Sequence, residues 1–149
     1  MHHRKTEGDR VRTVASATTA GEIPALVDAL RGARARLSDS TPTADGLSLP
    51  FEYIDSDSPL FGRGFAGFPT GTVPVMQAHL VIGGVASHEN DGPAHAGAGD
   101  LAVDFDDAIS LLTLSVSTQA VLRIWVDAID LCVIVTDEQI GERSLTMCM

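Results

Sequence analysis

Two histidines and several carboxylates lie close together between residues 87 and 107. His88 and His95 fall in a polar, glycine-rich stretch, and Asp100, Asp104 and Asp106 follow it. Imidazole nitrogens combined with carboxylate oxygens form a ligand set that suits zinc, manganese or iron better than calcium. Because Asp104 and Asp106 are two apart on a predicted strand, they share one face, over which the preceding loop could fold back. These five residues are a candidate divalent-metal site, and solvated loop residues are the alternative interpretation.

A glycine motif occurs earlier, where Gly62, Gly64 and Gly67 match the G-x-G-x-x-G pattern of nucleotide-binding proteins. That pattern holds a pyrophosphate only when a strand precedes it and a helix follows it. Here Pro59 precedes the motif and Pro69 follows it, so both contexts fail. We therefore predict that the chain binds neither NAD nor ATP.

Aromatic side chains and one arginine alternate with these glycines. Such a loop either tucks its rings against the core or presents them to another protein, since exposed aromatic and arginine side chains are frequent anchors of protein interfaces. The candidate partner-binding residues are Phe61, Arg63, Phe65 and Phe68.

Nucleophilic catalysis has no recognisable motif in this sequence. No G-x-S-x-G turn is present to expose a serine. Cys132 lies in an apolar run, which favours a place in the core, whereas Cys148 lies next to the terminus and is expected to be an exposed thiol.

The clearest predicted element is an amphipathic helix over residues 19–37. Thr19 and Glu22 fit a capping box, in which each side chain satisfies the other residue's backbone N–H. Apolar residues then recur at helical spacing: Ile23, Leu26, Val27, Leu30, Ala33 and Leu37. The spacing predicts that one side of this helix is buried against the rest of the protein.

Strand patterns dominate the remainder of the chain. Alternating or β-branched apolar residues predict strands over residues 47–53, 73–85, 101–105, 112–116 and 132–136, separated by loops over 55–72 and 87–99. Pro50 favours an edge strand, and Gly83 with Gly84 favours a bend. Residues 119–130 are ambiguous, because their polar residues recur at helical spacing while Val121, Ile124 and Trp125 favour a strand. We predict a second helix there.

These elements predict an α+β fold in which the N-terminal helix packs on a mostly antiparallel sheet. The predicted organisation is a flexible basic tail over residues 1–18, a single globular domain over 19–137 and a loose C-terminal segment over 138–149. A length of 149 residues suits one domain.

The charge of the chain is strongly negative, at −10, and unevenly distributed. Residues 1–36 hold seven bases and four acids, a net +3, so the rest of the chain carries −13. Such a body should repel nucleic acids and anionic membranes. Two cysteines and the lack of a long apolar run predict a soluble protein of the cytoplasm. A single lysine together with this acidity suggests a salt-adapted source.

The sequence favours a small binding or regulatory protein that acts through protein contacts and is not an enzyme. Its candidate surfaces are the loop from Phe61 to Phe68 and the first helix. The first alternative is a metal-binding protein or metal-dependent enzyme that uses the region from His88 to Asp107. The second alternative is the translation of a GC-rich reading frame that encodes no functional protein.

Overall fold

The computed structural model describes residues 11–54, 70–92, 97–117 and 120–146, which form a mostly antiparallel sheet with one short helix. The helix, α1, spans Ile23–Ala29. The strands are β1 Val11–Ala17, β2 Arg34–Ala35, β3 Thr41–Pro42, β4 Leu47–Ile54, β5 Thr70–Ile82, β6 Val85–Asp91, β7 Gly99–Asp106, β8 Leu111–Val116, β9 Val121–Val126 and β10 Leu131–Thr146.

The strands form one path in the order β1-β10-β5-β4-β2-β7-β8-β9-β6, and β3 pairs with β4. The path folds back on itself because β5 runs directly into β6 and β9 runs directly into β10. Two backbone hydrogen bonds join these strands at the corner, from Gly83 N–H to Asp130 C=O and from Asp127 N–H to Gly84 C=O, both 2.8 Å long. The two halves of the path therefore enclose one core between them.

The core follows from the alternation of side chains along each strand. In β8 and β9 every second residue is buried, which places Leu112 and Leu114 beside Leu122 and Ile124. These side chains belong to the same apolar cluster as Leu80 of β5 and the inward residues of β4 and β10. Among the described residues, no polar or charged side chain is fully buried.

The corner at Gly83 and Gly84 confirms the bend predicted from the sequence. Gly84 has a φ of +66°, a conformation that glycine adopts far more readily than residues with a Cβ atom. A Cβ atom at this position would also lie 2.7 Å from the backbone oxygen of Ala128. Glycine therefore allows β9–β10 to pass close to β5–β6 where both ribbons change direction.

The N-terminal helix is shorter than the sequence predicted. Residues 20–22 form a 3-10 turn, α1 ends at Ala29, and the chain then turns through Gly32 at a φ of +83°. The predicted helix over residues 19–37 is wrong beyond its first turns, because Arg34–Ala35 pairs with both β4 and β7. Ile23, Leu26 and Leu30 are nevertheless buried as predicted, and Val27 is half-buried.

The second helix predicted at residues 119–130 is wrong. Val121–Val126 is β9, which pairs with β8 on one side and with β6 on the other. The polar residue Arg123 lies on the outward face between two buried neighbours, Leu122 and Ile124. The β-branched residues of this segment suit a strand buried on one face, so tertiary pairing decides the structure over the helical spacing of the polar residues.

Both terminal boundaries predicted from the sequence differ from the structure. Val11–Ala17, assigned to the tail, pairs with β10, and β10 itself continues to Thr146, past the predicted domain end. Residues 87–91 of the predicted loop belong to β6, which begins at Val85. Pro50 lies in an interior strand and not at an edge: it is in register with His79 of β5, whereas neither β2 nor β3 pairs with it on the other side of β4.

Among the described residues, the structure contains no helix with the length and apolar character that a membrane crossing requires.

The start of the helical region is fixed by Glu22, although by a different partner from the predicted Thr19. The Glu22 carboxylate accepts from the Thr18 backbone N–H at 2.7 Å and from the Thr18 hydroxyl at 3.2 Å. These hydrogen bonds, the backbone bond first, hold the pKa of Glu22 below its usual value.

We expect Glu22→Gln to lower the melting temperature slightly at neutral pH. The ionised carboxylate of Glu22 contributes to the stability of the folded state. This contribution is fully present above the pKa of Glu22 in the unfolded chain, and it is lost as the pH falls through the lower pKa of the folded state. Thermal melts of both proteins across acidic pH should therefore converge at low pH. A gap that persists or widens on acidification would contradict this role.

Candidate functional site

The predicted partner-binding loop lies outside the described residues. This applies to Phe61, Arg63, Phe65 and Phe68, and to the glycine motif among them. Their proposed contact with another protein therefore stays a prediction.

Four of the five predicted metal ligands are among the described residues, and the structure places His88 far from the other three. His88 is exposed on β6, whereas Asp100, Asp104 and Asp106 are exposed on β7. Two strands, β8 and β9, lie between them, and three strand spacings amount to about 14 Å. That distance is too long for one metal ion to bridge His88 and the β7 carboxylates.

The two groups also lie on opposite faces of the sheet. His88 is in register with Ile124, Leu112 and Phe105, all on the inward-facing row, whereas Asp104 and Asp106 alternate to the outer face. No group of three or more metal-ligating side chains occurs within the described parts of the chain. His95 lies outside them, so its role as a ligand stays a prediction.

The other polar residues considered in the sequence have structural partners. Asp100 accepts from Arg34 at 3.3 Å, and Asp91 of β6 pairs with Arg123 of β9 at 3.0 Å. Cys132 is half-buried on β10, with its sulfur 3.8 Å from the hydroxyl oxygen of Thr13. Cys148 lies outside the described residues.

A cleft of about 380 Å³ lies between α1 and β7, and we call it the helix–strand cleft. The helix buries Ile23 and Leu26 in the core, which leaves Pro24 exposed and Val27 half-buried at its side. These residues face two half-buried side chains of β7. The described lining is Ala20, Ile23, Pro24, Val27, Val103, Asp104, Phe105 and Asp107.

The floor of the helix–strand cleft is apolar. Ile23 and Phe105 also line a second, narrower void that extends toward the core. The remaining described lining of that void is aliphatic, with Leu112, Val126, Ile129 and Leu131. The floor of the cleft therefore offers an apolar side chain a surface without polar side chains that contact would leave unsatisfied.

The rim of this cleft is acidic. Asp104 and Asp107 are exposed, and of the described residues that line the cleft none is basic. Asp106 lies in the same turn, where its carboxylate accepts from the Ala108 N–H at 3.0 Å. Ile109, three residues further on, is 55% exposed, which is high for a large apolar side chain. An apolar floor with a negative rim suits an apolar group that carries positive charge beside it.

This cleft was not predictable from the sequence. The helical spacing of Ile23 and Val27 and the alternation of Val103 and Phe105 both predict side chains that face the core. The spacing between α1 and β7 leaves Val27, Val103 and Phe105 only half-buried, and that spacing has no signature in the sequence of either segment. Asp104 was noted, but as a candidate metal ligand, and Asp107 only as the end of the region that holds those ligands.

No family model, curated protein or solved structure matches the chain.

The net charge predicts how the stability of the fold responds to salt. Carboxylates such as Asp104, Asp106 and Asp107 are crowded on one strand and turn, within a chain of net charge −10. Screening their mutual repulsion should raise the melting temperature as KCl increases from low to molar concentration. A variant with all three changed to Asn should respond less. A flat or falling trend in the unmodified protein would refute the prediction.

Proposed function

We propose that this chain is a non-enzymatic binding domain that docks an apolar segment of another protein in the helix–strand cleft. The observation that carries this proposal is the combination of an apolar floor, built from Ile23, Val27, Val103 and Phe105, with the carboxylates of Asp104 and Asp107 at its rim. The first helix was one of the surfaces that the sequence favoured for partner contacts, and it supplies one wall.

The dimensions of the cleft suit a segment of chain that inserts one or two side chains. At about 380 Å³ it lies near the lower end of the range for ligand pockets, about 300–1,000 Å³. The cleft is open along the side of α1. Grooves that bind an anchor residue of an extended or helical peptide are open in the same way. Transfer of the anchor out of water supplies the affinity.

The carboxylates would select what flanks the anchor. A lysine or arginine next to the apolar residue would lie near Asp104 or Asp107, whereas an acidic neighbour would be repelled. Because both carboxylates are exposed, this contribution should act mainly on specificity and association rate and should weaken with salt. The partner we propose therefore carries a bulky apolar residue with adjacent basic residues.

Selection from a displayed peptide library tests this proposal without a known partner. The full-length chain should enrich peptides with an apolar anchor next to Lys or Arg. Val27→Glu places a charge in the cleft wall and should abolish that enrichment. Val11→Glu is the control, because it adds the same charge at another valine, which is 54% exposed and lies on β1 and not in the cleft.

Two outcomes would refute the proposal. One is that no peptide class is enriched by the unmodified chain. The other is that the Val27→Glu protein, with a melting temperature close to that of the Val11→Glu protein, still selects the same peptides.

A further inference from the structure

A second cleft, of about 280 Å³, lies where β4 loses a neighbour. β3 pairs with Leu47 and Ser48, and β2 pairs with Phe51 and Glu52, so neither strand pairs with Pro50 between them. Because proline has no N–H to donate, this gap leaves no unsatisfied donor at that position. We call the space the arginine cleft, after two of the side chains that line it.

The path of the chain out of β2 brings opposite charges to this cleft. Arg34 and Arg36 flank Ala35, whose side chain is buried, and Arg36 is still in an extended conformation, so both arginines point to the other side. A 3-10 turn follows, in which the Asp39 N–H donates to the Arg36 C=O at 2.9 Å. The turn returns Asp39 to the same cleft.

The two arginines differ in what they contact. The Arg34 guanidinium donates to Asp100 at 3.3 Å and to the Ala98 C=O at 3.4 Å. The side chains of Arg36 and Asp39 line one cleft, yet within the described residues neither has a hydrogen-bond or ion-pair partner, including each other. The cleft therefore presents one free positive group and one free negative group, and its lining also includes Glu52, which already has an interaction of its own.

We propose that the arginine cleft binds a small zwitterion, with its carboxylate on Arg36 and its ammonium group on Asp39. A guanidinium matches a carboxylate through two parallel N–H donors, and a carboxylate readily accepts from an ammonium group. Gln77 and Ile140 also line the cleft, and they offer an amide and an apolar surface to the rest of the ligand. The space suits a molecule of the size of a free amino acid.

This site is separate from the function proposed above. The arginine cleft and the helix–strand cleft share no described lining residue. Loss of zwitterion binding would therefore leave the selection of peptides unchanged, and the two proposals can fail independently.

The direct test is titration of the full-length, isotope-labelled chain with free leucine, alanine and glutamine, followed by NMR. Isocaproate, which is leucine without its amine, and isoamylamine, which is leucine without its carboxylate, are the matched ligands. We expect saturable shifts around Arg36, Asp39 and Gln77 with the amino acids, and binding of both analogues that is weaker by about tenfold or more.

Two variants assign the charges. Arg36→Ala should weaken leucine binding about tenfold or more and leave isoamylamine unaffected, whereas Asp39→Asn should reduce leucine to the affinity of isocaproate. Arg31→Ala is the control, because Arg31 is exposed, pairs with Asp28 and is not among the described residues that line the arginine cleft. The proposal is overturned if no amino acid gives saturable shifts at tens of millimolar. Equal binding of leucine and isocaproate, or wild-type affinity in Arg36→Ala, would overturn it as well.

Discussion

Ile124→Asp should reduce the free energy of unfolding by about 4–5 kcal/mol or more, a large share of what a domain of this size has. Ile124 lies at the centre of β9, is fully buried and belongs to the core cluster. A carboxylate at this position would be surrounded by aliphatic side chains, with no buried polar group among the described residues to pair with it. Chemical denaturation of the two proteins measures the difference.

Ser87→Asp is the matched control for this substitution. It adds the same charge to the neighbouring strand, at an exposed position in register with Trp125, and should change stability by no more than about 0.5 kcal/mol. A similar loss in both variants would show that net charge, and not burial, is responsible. If Ile124→Asp had little effect, the placement of β9 in the core would be wrong.

The same denaturation experiment bears on the alternative that the reading frame encodes no functional protein. A cooperative unfolding transition in the unmodified chain would argue against that alternative.

Gly46→Ala should cost about 2–3 kcal/mol, the second-largest effect we expect. Gly46 closes the turn after β3, where the Thr43 N–H donates to its C=O at 2.9 Å and its own N–H donates to the Thr43 hydroxyl at 3.0 Å. A Cβ atom at residue 46 would overlap the backbone oxygen of Ile82 and lie 2.9 Å from a methyl group of Val85. Because the closest atom is backbone, β5 itself would have to move.

Gly141→Ala is the control for this prediction. Gly141 is an exposed position of β10, and a Cβ atom there would have no neighbour within 4 Å. Its substitution should change the free energy of unfolding by no more than about 0.5 kcal/mol. Equal melting temperatures for Gly46→Ala and the unmodified protein would show that the turn is more open than the structure has it.

The strands were predictable where their side chains alternate. Residues 47–53, 101–105 and 112–116 fall within β4, β7 and β8, because burial of one face of a sheet imposes a period of two on the sequence. The bend at Gly83 and Gly84 was predictable for a similar local reason, since the conformational freedom of glycine is visible in its residue type.

The helices were predicted less well, because their outcome depends on distant contacts. Leu30, Ala33 and Leu37 are buried as an amphipathic helix would require, but Gly32 turns the chain so that Arg34 and Ala35 can pair with β4 and β7. For residues 121–126 the helical spacing of the polar residues competed with β-branched composition. Pairing on both sides favours the strand: β8 directly precedes this segment in the chain, whereas β6 lies further away in the sequence. The spacing of the polar residues within the segment reveals neither pairing.

The sites were harder to predict than the strands, because each cleft joins residues that are far apart in the chain. Val27 and Phe105 meet in one cleft, and Arg36 and Gln77 in the other. The predicted metal site grouped His88 with Asp104, which the structure places far apart, because the two residues are close in the sequence. Proximity in sequence suggested proximity in space, but a strand order with β8 and β9 between β6 and β7 separates them.

NMR mapping of peptide binding tests the central claim, that the helix–strand cleft is the partner-binding site, most directly. The probe is an unstructured peptide with one leucine flanked by arginines, titrated into the full-length chain. We expect saturable shifts centred on Ile23, Val27, Val103 and Phe105, with smaller shifts at Asp104. Replacement of the leucine by serine should abolish them. Shifts centred on another surface, or none with any apolar anchor, would contradict the account.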